Sequence, residues 1–149
     1  MIRNPARRVR SLNQEIEQID QMLTELVGQV APSLLELHGI GPDNAASLLV
    51  TAGDKPQRIR SEGAWANLCG VAPISASSGK VVRYRLNRGG DRHANAALYR
   101  MVLTRMSNHP ETRRYVARRR AEGRSTGEII RCLKRYGARQ IFKHLPAVT

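Results

Sequence analysis

The stretch PSLLELHGIGPDNAASLLVTAG, residues 32–53, decides the fold. Apolar residues recur at helical spacing on both sides of the turn at residues 38–42, which predicts two short helices packed as a hairpin. Glycine tolerates positive φ and close backbone approach, and proline suits the first turn of a helix. Because the turn is His-Gly-Ile-Gly-Pro, residues 32–53 are predicted to form a helix-hairpin-helix.

The turn also predicts a binding function. Backbone amides at Gly39, Ile40 and Gly41, together with the start of the second helix, are suited to hold a phosphate group independently of base sequence. The alternative is an αα-hairpin with a purely structural role.

Residues 1–31 form a predicted helical arm before the hairpin. Its apolar residues alternate three and four positions apart for about three heptads, the spacing of a coiled-coil seam. They are Val9, Leu12, Ile16, Ile19, Leu23, Leu26 and Val30. So narrow a seam needs a partner helix, from a second copy of the chain or from another part of the same protein. We therefore expect a homo-oligomer; the alternative is an amphipathic helix packed on its own domain.

Charge is distributed unevenly along the chain. Lys and Arg number 25 against 12 Asp and Glu, a net charge of +13. Residues 1–70 carry 7 basic and 8 acidic side chains, whereas residues 71–149 carry 18 basic and 4 acidic ones. This favours a polyanionic partner bound by the second half. Most of the basic residues are Arg, whose planar fork suits phosphates and base edges and favours nucleic acid over a membrane.

Other sequence features argue against a membrane-spanning, secreted or metal-binding protein. No apolar run is long enough for a membrane span and the N-terminus has no apolar signal core, so a cytoplasmic, nucleoid-associated protein is expected. Cys69 and Cys132 stand in apolar helical contexts and are interpreted as reduced packing residues. The four histidines lack ligand spacing, so no metal site is expected.

Residues 54–149 are predicted to form a small helical domain. A short helix is expected from Ser61 to Gly70 with Trp65 in the core, then an extended loop or short β-hairpin over 71–90. Helices are predicted over 91–106, over 110–122 and from Ser125 onward, where Ser125 and Glu128 have the spacing of a capping box. The fold class is therefore mainly α.

An Arg-rich stretch lies in the second of these helices. Arg113, Arg114 and Arg118 are candidates for a stripe that follows a phosphate backbone. The alternative is a solvated helix face.

Two stretches carry a family resemblance, residues 34–50 and CGVAPISASSGKVVRYRLNRGGDRHANAALY at residues 69–99. The order of motifs in the second is Gly70, Pro73, Ser78-Gly79, Lys80, Arg83, Arg85, Arg88, Gly89-Gly90, Arg92, Asn95 and Leu98-Tyr99. This order resembles the C-terminal domain of the DEDD-type insertion-sequence transposases, which include Piv-type DNA invertases and bridge-RNA-guided recombinases. The closing EIIRCLKRYGARQIFKHL resembles the terminal helix of that family.

The resemblance implies DNA recombination by a serine nucleophile. The position equivalent to the family serine is Ser78, with Ser77 as the second choice. A serine hydroxyl needs activation and a positive field around the phosphate it attacks. Lys80, Arg83, Arg85, Arg88 and Arg92 are the expected DNA-binding cations of this region. From local sequence alone, Ser-Ser-Gly is more simply a turn.

The resemblance also implies a further domain. Full-length family members begin with a RuvC-like domain whose acidic residues hold divalent metal and help bind a guide RNA. No such domain is found in this sequence, so Mg²⁺ and a guide RNA are expected only with that domain and the chain is expected to be inactive alone. The alternatives are a non-catalytic helix-hairpin-helix DNA-binding module that dimerises through its arm, and a basic RNA-binding structural protein.

Overall fold

The structure, a computed structural model, describes residues 3–75, 79, 80, 82, 84, 85 and 87–146. These residues form seven α-helices and one two-stranded antiparallel hairpin, so the predicted mainly α class is confirmed. The helices are α1 (Arg3–Val30), α2 (Pro32–Leu35), α3 (Pro42–Asp54), α4 (Glu62–Leu68), α5 (Arg92–Asn108), α6 (Pro110–Ala121) and α7 (Thr126–Phe142). A 3-10 turn at Pro56–Arg58 follows α3, and β1 (Ile74–Ser75) pairs with β2 (Tyr84–Arg85).

Side-chain caps fix where three helices begin. The Ser61 hydroxyl accepts a hydrogen bond from the Ala64 amide at the start of α4. The Asp91 carboxylate accepts one from the Ala94 amide at the start of α5. The predicted capping box of α7 is confirmed, because Ser125 Oγ accepts from the Glu128 amide while the Glu128 carboxylate accepts from the Ser125 amide at 2.9 Å. That backbone hydrogen bond lowers the pKa of Glu128.

Helix α5 lies at the centre of the core. Its buried face packs against α3, α6 and α7. That face consists of Ala94, Ala97, Leu98, Met101 and Val102. Leu34 and Leu48 from the N-terminal helices and Ile141 from α7 belong to the same core. Trp65 is fully buried there, as predicted.

Two glycines allow the hairpin turn and α7 to approach Met101 of α5 closely. Gly39 has φ +82°, and a Cβ there would lie 3.1 Å from the Met101 carbonyl oxygen. A Cβ at Gly137 of α7 would collide with the end of the Met101 side chain. The hairpin turn and α7 therefore both pack on the same point of α5.

Helix α1 packs on the rest of the chain only near its C-terminal end. Val27 is buried and Leu23 half-buried where α1 meets α2 and α3. Six of the seven predicted seam residues are 38–58% exposed, all except Leu23. The interpretation as a helix packed on its own domain thus holds for the last turns alone, and most of the apolar seam has no cover within the described residues.

Two residues near the end of α7 stand apart from its buried face. Tyr136 is 50% exposed, and Leu145 lies beyond the helix end at Phe142. Tyr136 lies at the edge of the core, where its ring packs edge-on against Tyr115 of α6 at 5.9 Å. An aromatic ring can bury one side in such a contact while its hydroxyl stays in water.

The central position of α5 gives a stability prediction. Leu98→Ala removes a fully buried side chain and leaves a cavity, so the free energy of unfolding should fall by about 2–5 kcal/mol. Urea denaturation followed by circular dichroism measures the loss. The matched control is Val50→Ala on α3, a residue 62% exposed, which should change stability by less than about 0.5 kcal/mol. Equal losses in both variants would contradict the central role of α5.

Candidate nucleic-acid interface

The turn between α2 and α3 presents some of its predicted phosphate donors and buries another. Ile40 is buried, and its amide donates to the Leu37 carbonyl at 3.1 Å. Gly41 is the N-cap residue of α3 in extended conformation. Within the described residues, the amides of Gly39 and Gly41 have no backbone acceptor, so these two remain the candidate phosphate donors of the turn.

Side chains from the α5–α6 junction hold this turn in place. His38 Nε2 donates to Asn108 Oδ1 at 2.6 Å, and the His38 ring packs at a tilt against His109 with centroids 4.9 Å apart. Arg105 Nε donates to the His38 carbonyl at 2.7 Å. Burial lowers the pKa of Arg105. The turn is therefore fixed by contacts from residues about 70 positions away in sequence.

The first turn of α3 carries a carboxylate that is paired with a cation of α5. Asp43 forms an ion pair with Arg100 at 3.8 Å, and Arg100 Nε donates to Asn44 Oδ1 at 2.8 Å. A carboxylate at this position would repel a phosphate approaching the helix start. The Arg100 guanidinium offsets that charge and adds a cation beside the turn.

The cations named from the sequence lie on the β1–β2 hairpin and at the start of α5. Ile74 lies opposite Arg85 and Ser75 opposite Tyr84. The side chains of Lys80, Arg85, Arg88 and Arg92 are all exposed. Ser77, Ser78 and Arg83 lie outside the described residues, so their positions stay predictions.

Both ends of this hairpin meet at one point. A Cβ at Gly90 would collide with the Gly70 backbone, and Gly70 itself has φ +68°. The Asp91 amide donates to the Leu68 carbonyl at 2.7 Å, which joins the end of the hairpin to the end of α4. We call the segment from residue 71 to residue 90, closed in this way, the serine loop.

Sequence analysis missed a buried cation beneath the serine loop. Lys134 on α7 is 7% exposed, and its ammonium donates to Asn95 Oδ1 at 3.1 Å. Burial, and to a smaller extent Arg131, lowers the pKa of Lys134. A single lysine in an amphipathic helix gives no local signal of burial, whereas Asn95 already belonged to the family-like motif.

The arginines of α6 have two different environments. Arg113 and Arg114 are exposed and form no ion pair with any described residue. Arg118 and Arg119 both lie against Glu122 and over the ring of Tyr115. The guanidinium groups best able to contact a phosphate are therefore the first pair, while Arg118 shares its charge with Glu122.

The candidate DNA-binding residues fall into two groups. Arg92 begins α5 and Arg113 follows its end, and the 17 residues of α5 extend about 25 Å at 1.5 Å per residue. The loop group and the α6 group are thus associated with opposite ends of one helix. The turn with Gly39 and Gly41 lies with the α6 group, because the His38 ring contacts that of His109.

The described residues lack the features of a metal site and of a membrane span. No three His, Cys, Asp or Glu side chains of the described residues are grouped so that they could hold a metal ion. The Mg²⁺ implied by the family resemblance therefore has no fitting ligand set among them. No helix in the described ranges has the length and apolar character needed to cross a membrane.

Comparisons with known proteins agree with the sequence motifs. The family model "Transposase IS116/IS110/IS902 family" matches residues 31–117. The "Insertion element IS110 uncharacterized 43.6 kDa protein" of Streptomyces coelicolor is 31% identical over 117 residues, covering 78% of this chain and 29% of that protein. The "Insertion element IS900 uncharacterized 42 kDa protein" of Mycobacterium paratuberculosis is 28% identical over 133 residues, 87% of this chain and 33% of that protein.

The chain spans about a third of the length of these curated relatives. The matched region begins at the last residue of the arm, includes the hairpin turn and the serine loop, and ends within α6. Because the family model covers more than half of the chain, this protein belongs to the IS116/IS110/IS902 family of transposases.

Proposed function

We propose that this chain is the DNA-binding C-terminal part of an insertion-sequence transposase and that it contributes Ser78 as the nucleophile of recombination. It does so in combination with a metal-binding RuvC-like half. The observation that carries the proposal is the closed base of the serine loop, with exposed cations that follow Ser78 in sequence, inside a region matched to a transposase family.

The reaction assigned to Ser78 is a transesterification. The hydroxyl oxygen forms a bond to a DNA phosphorus, the bond to one deoxyribose oxygen breaks, and that oxygen takes up a proton. The serine proton passes to a base that the metal-binding half would supply. Charge grows on the phosphate oxygens as the bond forms, and Lys80, Arg85 and Arg88 would stabilise it. The resulting phosphoserine link preserves the energy of the phosphodiester until the strands are exchanged.

DNA binding is assigned to the two groups of exposed cations and to the hairpin turn. Guanidinium groups and backbone amides bind phosphates without reading the bases. Positive groups associated with both ends of α5, about 25 Å apart, are close enough to contact one duplex within a single helical turn. The chain therefore supplies affinity for DNA, and the choice of target is assigned to the other half with its guide RNA.

The exposed seam of α1 is assigned to a homo-oligomer contact. A seam of alternating three and four spacing buries itself best against a second helix of the same pattern. An arm that projects from the core leaves this seam accessible over several turns. Pairing would bring two serine loops into one complex, as recombination of two DNA ends requires.

Substitution of the serine tests the catalytic assignment. With the metal-binding half and element-end DNA supplied, Ser78→Ala should reduce strand transfer by at least about 10³-fold, because no other group forms the covalent link. Denaturing gels that resolve the covalent protein–DNA adduct measure the step. DNA affinity should stay unchanged.

Two further variants distinguish a specific role of Ser78 from a general effect of losing a serine hydroxyl. Ser107→Ala changes an exposed serine of α5 and should leave adduct formation intact. Ser77→Ala examines the second choice. Full adduct formation by Ser78→Ala would remove the assignment, and the absence of any adduct from the complemented wild-type chain would favour the non-catalytic DNA-binding module.

The salt dependence of DNA affinity tests the α6 group. Arg113→Gln with Arg114→Gln should weaken duplex binding for every sequence and lower the slope of log affinity against log salt by about 2, one contact for each guanidinium. Fluorescence anisotropy on a labelled duplex at several salt concentrations measures both. The matched control is Arg119→Gln with Arg139→Gln, which removes the same charge from groups already bound to Glu122 and Glu62. A slope that falls equally in the control would show a general charge effect instead of direct contacts.

The mass of the chain in solution tests the arm. Ile16→Glu with Ile19→Glu places two carboxylates in the apolar seam and should convert a dimer to a monomer. Light scattering after gel filtration measures the change. Gln14→Glu with Gln18→Glu adds the same charge to exposed positions outside the seam and should leave the dimer intact. A monomeric wild-type chain would contradict pairing through α1.

A further inference from the structure

The serine loop is closed at a point where three helices meet. Gly70 and Gly90 are in backbone contact without room for a side chain, and the Asp91 amide bonds to the last turn of α4. From α5, Asn95 Nδ2 donates to the Cys69 carbonyl at 3.0 Å and to the Gly70 carbonyl at 3.3 Å. These carbonyls lie just before the loop, so Asn95 holds its first end directly.

Lys134 determines which way the Asn95 amide faces. An ammonium group can only donate hydrogen bonds, so it requires the amide oxygen, and the NH2 group is then turned toward the two carbonyls. The two N–H bonds of that NH2 group match the two acceptors in number. Rotation of the amide by half a turn would place its NH2 against the ammonium and its oxygen against the carbonyls, which loses every hydrogen bond of the network.

The cost of burying Lys134 indicates that the contact has a role. A buried ammonium loses its hydration, and its one hydrogen-bond partner among the described residues is Asn95. An apolar residue of the same length would fill the space beside α5 without that cost. The position of Lys134 is therefore better explained by the orientation of Asn95 than by stability of the core.

We propose that Asn95 and Lys134 are positioning residues that hold the base of the serine loop and so orient Ser78 toward the scissile phosphate. Neither side chain touches the DNA. Asn95 acts on the backbone just before the loop, and Lys134 acts through Asn95. The proposal rests on the proposed function for its link to Ser78, whereas the contact network is independent of it. Because misplacement of a nucleophile by about 1 Å can cost on the order of 10²-fold in rate, loosening the base of the loop should affect the chemical step.

The first part of the test uses the chain alone. Asn95→Asp retains a partner for Lys134 but cannot donate to the two carbonyls, and Lys134→Met removes the donor at similar length. In both variants the amides of Val71 and Asp91, which bond to Ala66 and Leu68 across the base, should exchange with deuterium about tenfold faster. The Leu98 amide inside α5 should keep its protection. Asn67→Asp makes the same chemical change on an exposed side chain of α4 and should leave exchange at the base unaltered.

The second part measures strand transfer with the metal-binding half supplied. The single-turnover rate of adduct formation should fall about tenfold to 10²-fold in Asn95→Asp and in Lys134→Met, with DNA affinity and its salt dependence unchanged. Lys134→Gln, which can still donate to the Asn95 oxygen, should recover part of the rate. A merely structural role would lower thermal stability and DNA affinity together and would give no such recovery.

The possible outcomes separate this proposal from the proposed function. Unchanged exchange at Val71 and Asp91 in both variants would overturn the positioning role whatever the chain does with DNA. Faster exchange with an unchanged rate of adduct formation, while Ser78→Ala is inactive, would overturn the link to catalysis and leave the proposed function standing. Adduct formation by Ser78→Ala would overturn both. Faster exchange, a lower rate and recovery by Lys134→Gln are the results expected.

Discussion

Close packing of two backbones around Met101 of α5 is the constraint on which the rest of the structure depends. The hairpin turn reaches this point because Gly39 has no side chain, and α7 reaches it because Gly137 has none. Dense interiors tolerate little added volume. A Cβ at Gly39 would meet the Met101 backbone and displace the turn, whereas a Cβ at Gly137 would require the end of the Met101 side chain to move. The turn then brings α3 and the end of α1 onto the core, and α7 brings Lys134 beneath the serine loop. The proposed phosphate site and the serine loop are thus fixed to one helix.

This arrangement fixes both ends of the serine loop to helices. A nucleophile on a loop needs freedom to meet its phosphate, yet its attachment must be fixed for the reaction to be fast. At the first end of the loop the last turn of α4 provides carbonyls, and at the second end the cap of α5 begins with Asp91. Asn95 joins these ends, so the serine loop has a base that is shared by α4, α5 and α7.

Sequence reasoning succeeded where the structural cause is local. The capping box at Ser125 and Glu128, the turn with positive φ at Gly39 and the burial of Trp65 follow from residues within a few positions of each other or from side-chain chemistry alone. It failed where the cause is a contact between distant segments. In α1, Val27 is buried against the core although it lies outside the apolar seam, because the position of α2 and α3 decides which face the last turn presents.

In the candidate site, too, contacts between distant segments could not be predicted from the sequence. Exposed cations such as Arg88, Arg92 and Arg113 could be named from charge and from the family-like motif, since a surface guanidinium needs no partner in the fold. Lys134 could not, because its burial depends on Asn95, which lies 39 residues earlier in the sequence. A buried lysine that bonds to an asparagine is detectable only when both helices are in place. The residues that position a reactive group are therefore harder to find from sequence than the group itself, since their role lies in a contact and not in a motif.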